Sequence, residues 1–150
     1  MRLSSPEFED GGEIPREYGY TNRNVSPPLD IDDVPEDAES LVLVVDDPDA
    51  VEPAGKVWDH WVLWNLDPST REIPEDADIG DLGGVEAKND YGEKGYGGPN
   101  PPDREHSYRL RLYAVDITLD LPETATKQDV IDAVDGHTVA EAEITGRFSS

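Results

Sequence analysis

Two histidines and a tyrosine, His60, His106 and Tyr108, carry most of the chemistry this sequence offers. Between Gly95 and Asp116 the chain reads GYGGPNPPDREHSYRLRLYAVD. From His106 onward, His106, Tyr108, Leu110, Leu112 and Ala114 recur with a period of two, which puts them on one face of a strand. Ser107, Arg109, Arg111, Tyr113 and Val115 take the other face. The apolar face is the one to be buried, so it carries a histidine and a tyrosine inward at the strand's mouth. Just upstream, Gly95, Gly97 and Gly98 permit positive φ, while Pro99, Pro101 and Pro102 fix φ and donate no hydrogen bond. Two fixed polar side chains beneath such a loop make a small pocket in which backbone approaches a ligand closely. Imidazolium and phenol groups donate to phosphate or other oxyanion oxygens, and charge-assisted bonds of this kind are strong.

A second wall comes from two apolar segments. Leu41 to Val45 (LVLVV) is a short continuous run that ends in Asp46-Asp47-Pro48-Asp49-Ala50. After a connection follows Trp58-Asp59-His60-Trp61-Val62-Leu63-Trp64-Asn65. A period of two predicts Trp58, His60, Val62 and Trp64 on one face, with Trp61 and Leu63 on the other. Both faces are apolar, as in a central strand, and His60 lies near its start. Trp61 and Trp64 are read as core.

The order DPDA, then WxHW, then GYGGPxPPxxxHxY resembles the phosphatidylethanolamine-binding protein family, most closely its prokaryotic Raf-kinase-inhibitor-like branch. Asn24-Val25-Ser26-Pro27-Pro28-Leu29 with Val34-Pro35, Asn89-Asp90-Tyr91-Gly92, and Gly136-His137 followed by Ala140, Ala142 and Gly146 extend the likeness over nearly the whole chain. The resemblance implies a mainly β fold: a large antiparallel Greek-key sheet packed on a smaller one. It also implies that Asp47, Pro48, Asp49, Trp58, His60, Pro102, His106 and Tyr108 match an anion pocket, which accepts the phosphate of phosphoethanolamine-type headgroups or simple oxyanions. In that pocket a carboxylate such as Asp47 holds and orients one imidazole nitrogen, or receives a ligand's ammonium group. Asp49 has a second reading, as an Asx residue capping its own turn. Two departures bear on ligand identity: Val51 stands where the family commonly has proline, and Asn100 fills the variable position of GPxPP.

Composition bounds the remaining functions. A chain of 150 residues suits a single domain over 1–150 with an ordinary core. With no cysteine there is no disulfide framework, thiol nucleophile or cysteine metal site. No apolar run approaches the ~18–20 residues of a membrane span, and the N-terminal sequence lacks the apolar region of a secretory signal. A cytoplasmic location is expected. Twelve basic against thirty-five acidic residues give a net charge of −23. In molar salt the Debye length falls to about 3 Å and that self-repulsion fades, so the composition is read as that of a haloarchaeal cytosolic protein. Nucleic acid is not an expected partner, because no basic patch displaces counterions from its phosphates, and docking to an anionic bilayer is disfavoured on the same electrostatic ground.

The elements that must position these residues are mostly strands. Leu3 and Phe8 belong to a first strand and an acidic turn within 1–12. The tryptophan strand is expected over 57–66 and the histidine–tyrosine strand over 107–116. Asp67 to His106 reads as a long glycine-rich loop, with a short strand or helical turn near 84–87. Thr126 caps a helix bearing Val130, Ile131 and Val134, with Gly136 at its C′ position. A second short helix over 139–143 and a last strand over 144–148 complete the chain, confining helix to the C-terminus. His137 is read as a cap or packing residue, and Asp129, Asp132 and Asp135 as a solvated helix face.

Three functions follow. The first is a non-enzymatic module holding an anionic or phosphorylated small molecule, with no cofactor. The second is a regulator of protein partners, inhibiting a kinase or protease. The third is a metal-dependent or acid–base enzyme using His60 and His106, which no HxxxH, HExxH or GxSxG spacing supports. Prokaryotic relatives are often dimers, which makes a homodimer the expected assembly.

Overall fold

The computed structural model describes residues 1–150. Its elements in chain order are β1 (Arg2–Ser4), β2 (Gly12–Glu13), β3 (Leu29–Asp32), β4 (Ser40–Asp47), α1 (Val51–Ala54), β5 (Trp58–Leu66), β6 (Glu72–Ile73), β7 (Val85–Glu86), β8 (His106–Val115), α2 (Lys127–Val134) and β9 (Thr138–Phe148). Six strands form the large sheet in the order β2-β9-β8-β4-β5-β7, and β1-β3-β6 form the small one. All pairings are antiparallel except β2 with β9. After the β4–β5 hairpin the chain crosses back to lay β8 on the far side of β4, the over-connection of a Greek key.

The LVLVV run forms the middle of β4, and all eight residues of that strand are buried. Leu41, Leu43 and Val45 point into the larger core with Leu110, Leu112 and Trp61, between the two sheets. Val42 and Val44 join Val62, Trp64, Val130 and Val134 in a smaller core beneath α2. Helix α2 has the expected capping box: Asp129 N donates to the Thr126 hydroxyl, and Thr126 N donates to the Asp129 carboxylate. Gly136 follows with φ +79°.

Four expectations are corrected. Residues 139–143 are not helix: β9 runs unbroken from Thr138 to Phe148 and pairs with β8 along its length. The alternating Ala and Glu of this segment are good helix formers, but over five residues the cross-strand ladder overrides that propensity. At the start of β9 the Thr138 hydroxyl donates to the Val134 carbonyl at 3.2 Å. Helix is not confined to the C-terminus, since α1 follows the DPDA turn. Phe8 lies outside β1 and packs into the larger core from a bend.

The fourth correction matters most for the site. Val45 pairs with Trp61, but Asp46 pairs with Asp59, so one step along β4 spans two along β5. His60 is the extra residue of a β-bulge, and the period of two fails there. The His60 ring therefore leaves the face of Val62 and Trp64 and turns to the larger core, 5.2 Å from the Tyr108 ring.

On the opposite face, Asp46 is fully buried yet well partnered. Arg109 forks onto its two oxygens at 2.8 and 2.9 Å, Arg111 adds a bond at 2.9 Å, and Lys127 reaches it at 3.2 Å. Lys127 also pairs with Asp59 at 2.7 Å, so one ammonium from α2 spans both strands beside the bulge. Burial alone would raise the Asp46 pKa; the Arg109 hydrogen bond and the charges of Arg111, Lys127 and Arg109 outweigh it and hold the carboxyl below its ordinary value. That stabilisation is complete above the unfolded carboxylate pKa of about 3.9 and is lost as pH falls through the folded value. Asp46→Ala is expected to destabilise the fold by about 2–3 kcal/mol at neutral pH, less than a wholly buried pair because the arginines keep some solvent. Denaturant melts at fixed salt check this, and the gap between variant and parent should narrow below pH 4.

Candidate functional site

At the mouth of β8 and β5 lies a cavity of about 210 Å³. Six of the residues singled out by sequence line it: Asp47, Trp58, His60, Pro102, His106 and Tyr108. Each comes from a strand end or the proline loop, which explains their convergence. Asp47 ends β4, Trp58 and His60 begin β5, and His106 and Tyr108 begin β8.

Pro48 and Asp49 stand outside the lining. Pro48 opens a 3-10 turn over Pro48–Ala50, and Asp49 ties that turn down. Its amide donates to Asp47 Oδ1 at 2.9 Å, and its carboxylate accepts from the Ser107 amide at 2.9 Å. The Asx cap of this turn is therefore Asp47, whereas the Asp49 side chain fastens the DPDA turn to β8.

The cavity is completed by residues not singled out as site residues: Tyr91, Pro101, and Ala50, Pro53 and Ala54 from the α1 turn; Asn100, noted only as a departure, also lines it. Tyr91 belongs to the NDYG segment. There the Asn89 side chain accepts from the amides of Tyr91 and Glu93 and donates to the Gly95 carbonyl, closing a turn that presents the tyrosine. The Tyr91 ring stacks on Tyr20 at 3.8 Å, and Trp58 packs edge-on against it at 5.5 Å. An aromatic residue within an Asn/Gly turn is the signal that marks it.

The glycine loop is fastened to the segment 18–24. The Gly98 amide donates to Asn24 Oδ1 at 2.7 Å, and Tyr20 N donates to the Pro99 carbonyl at 2.9 Å. A Cβ on Gly98 would sit inside the Tyr18 carbonyl, and one on Gly97 would strike the Tyr91 ring at 2.5 Å. Both positions admit only glycine. The Gly97 carbonyl is thereby free to accept from His60 Nδ1 at 2.7 Å. That bond leaves Nε2 without the proton, and burial pushes the His60 pKa below its usual value despite Gly97 and the nearby Asp47, Asp46 and Asp59.

His106 is the opposite case. Its Nδ1 donates to Asp47 Oδ2 at 2.6 Å and its Nε2 donates to Asp103 Oδ1 at 2.7 Å, so both nitrogens carry protons. Burial would lower its pKa; the bonds and charges of Asp47 and Asp103 overcome that and raise it. The sequence reading had an imidazolium donating to a ligand, but in the structure both imidazolium protons are already engaged by protein carboxylates. The unengaged donors are elsewhere. Tyr108 Oη and Trp58 Nε1 are both buried and have no hydrogen-bond partner. Burial, with the Asp47 charge, raises the Tyr108 pKa and keeps its proton in place.

The third histidine, His137, joins Asp116 at 2.9 Å near the α2–β9 connection, remote from the cavity. Of the aspartates read as a solvated face, Asp129 caps α2 and Asp132 accepts from Gln128.

The two cavity histidines are expected to titrate on opposite sides of the ordinary value of about 6.5, His60 below and His106 above. His106 therefore adds stability that is complete below 6.5 and is lost as pH rises through its folded pKa. Ring-nitrogen NMR shifts across pH 4–9 check the order, and coincident midpoints would contradict the geometry.

The sequence profile of the phosphatidylethanolamine-binding proteins matches residues 4–149. A UPF0098 protein of Methanothermobacter thermautotrophicus is 45% identical over 151 residues, covering 99% of this chain and 98% of that protein. Among solved structures, a phosphatidylethanolamine-binding protein homolog from Chlamydia trachomatis superposes with a TM-score of 0.92 at 38% identity, over 99% of this chain and 97% of that one. Escherichia coli YbcL, described as a member of the mammalian family, gives 0.89 at 28% identity, over 99% and 98%.

Proposed function

The chain belongs to the phosphatidylethanolamine-binding protein family, and from that premise we propose that its cavity is a non-catalytic binding site for a phosphate ester or other oxyanion. One observation carries this reading: Tyr108 Oη and Trp58 Nε1, two donors without partners, belong to the wall of one cavity. A buried donor without an acceptor is costly, and a ligand oxygen would relieve both. The His106 imidazolium and the Gly/Pro loop lie beside them. Ala50, Pro53, Ala54, Pro101 and Pro102 supply an apolar side suited to the methylenes of a headgroup such as phosphoethanolamine.

One feature limits affinity. Asp103 occupies His106 Nε2, the nitrogen an anion would use, and its side chain is 36% exposed. An incoming oxyanion competes with that carboxylate. Acid–base catalysis by His106 has little support, since neither of its nitrogens is unengaged.

Calorimetric titration with inorganic phosphate and O-phosphoethanolamine in molar KCl tests the reading. Tyr108→Phe is isosteric and should weaken binding about tenfold or more, the worth of a hydrogen bond to a charged group. Asp103→Asn should strengthen it several-fold. Equal affinities in wild type and Tyr108→Phe would place the ligand elsewhere.

A further inference from the structure

The chain has only four lysines, Lys56, Lys88, Lys94 and Lys127. All four line a single cleft of about 610 Å³ on another side of β5 from the cavity. They arrive from four places: the end of the α1 connection, the two arms of the 88–94 turn, and the start of α2. Only one of the cleft's lining residues, Ala125, is hydrophobic. Every other cation in this chain of thirty-five acidic residues is arginine or histidine.

Stability does not account for this gathering. Lys56 pairs with Asp90 at 2.9 Å and Lys94 with Glu123 at 3.0 Å, yet both lysine side chains are more than half exposed. Exposed pairs contribute little and are screened by salt. Lys88 forms no ion pair at all. It is instead bridged through the backbone to Lys94 in an antiparallel turn, which sets two ammonium-bearing residues directly across from each other. Like charges in that position are unfavourable. Three of the cleft's four carboxylates have fixed duties: Asp59 holds Lys127, Glu86 accepts from the Trp61 indole, and Asp90 accepts from the Asp59 amide at 2.6 Å. With four lysines against four carboxylates, the cleft is a neutral island on a chain of net charge −23.

We propose that this cleft is a second anion site, separate from the Tyr108 cavity, which binds a small, multiply charged phosphate compound through Lys88, Lys94 and Lys56. The concave shape and polar lining suit a small molecule rather than a flat protein surface. Ammonium groups are point charges that serve phosphate oxygens well without planar pairing. The ligand relieves the Lys88–Lys94 repulsion and takes the place of Asp90 at Lys56 and of Glu123 at Lys94, while Asp90 keeps the Asp59 amide. Lys127 stays with Asp46 and Asp59 and takes no part.

The test is calorimetric titration of the full chain with inorganic pyrophosphate in molar KCl, free of divalent cations. Saturable binding is expected. It should weaken about tenfold or more in Lys88→Gln/Lys94→Gln, return in Lys88→Arg/Lys94→Arg, and persist in Tyr108→Phe. No saturable heat with the wild type, or equal affinity in the glutamine variant, would overturn the proposal. Loss in Tyr108→Phe would overturn it too, by assigning the anion to the other cavity.

Discussion

The site depends on one extra residue in β5. With β4 and β5 in plain antiparallel register, His60 would lie with Val62 and Trp64 under α2, and the cavity would have a single histidine. The bulge at His60 turns its ring across the sheet to face Tyr108 and the Gly97 carbonyl. A bulge costs ladder bonds and needs support. Support comes from behind, where Lys127 holds Asp46 and Asp59 together and the Asp90 carboxylate takes the Asp59 amide. Residues adjacent in sequence thus have separate duties: Asp46 and Asp59 brace the sheet, while Asp47 and His60 face the cavity.

The electrostatics of the cavity follow from how few cations the chain can spare. His106 is its one buried cation, and two aspartates claim it. That arrangement orients the ring rigidly and keeps a proton on each nitrogen, but leaves none for a visitor unless Asp103 yields. His60, bonded only to a neutral carbonyl, stays uncharged. The two rings therefore differ in charge within one small space, and neutral donors, a phenol and an indole, supply the unmet hydrogen-bonding capacity. The glycine loop matters for the same reason: its close approach to Tyr18 and Tyr91 brings carbonyls inward where side chains would have filled the space.

Much of this was legible in the sequence. The alternation from His106 to Val115 holds without interruption, so the inward placement of His106 and Tyr108 followed directly from periodicity. Burial of Trp61 and Trp64 and the Thr126 cap were equally plain. His60 was singled out and set beside Trp58, but Val62 and Trp64 were the wrong companions, because a bulge adds a residue without any signature in a run such as WDHWVLW. The last strand was split because Ala and Glu between Val139 and Glu143 mimic a helix, and only pairing with β8 decides otherwise. Tyr91 and Asp103 were missed as site residues for another reason. Both belong to irregular loops whose course is set by side-chain bonds to backbone, Asn89 to Gly95 within the turn and Asn24 to Gly98 from far along the chain, and no period reports those.

The claim at the centre is that a ligand oxyanion meets the unpartnered donors of this cavity. The Trp58 indole proton reports on it directly, since its NMR resonance moves downfield on bonding to an anionic oxygen. Titrating ¹⁵N-labelled protein with inorganic phosphate in molar KCl should shift the Trp58 indole signal saturably, while the buried indole of Trp64 stays in place. If the Trp58 resonance stays fixed while phosphate binds, the anion does not sit in this cavity.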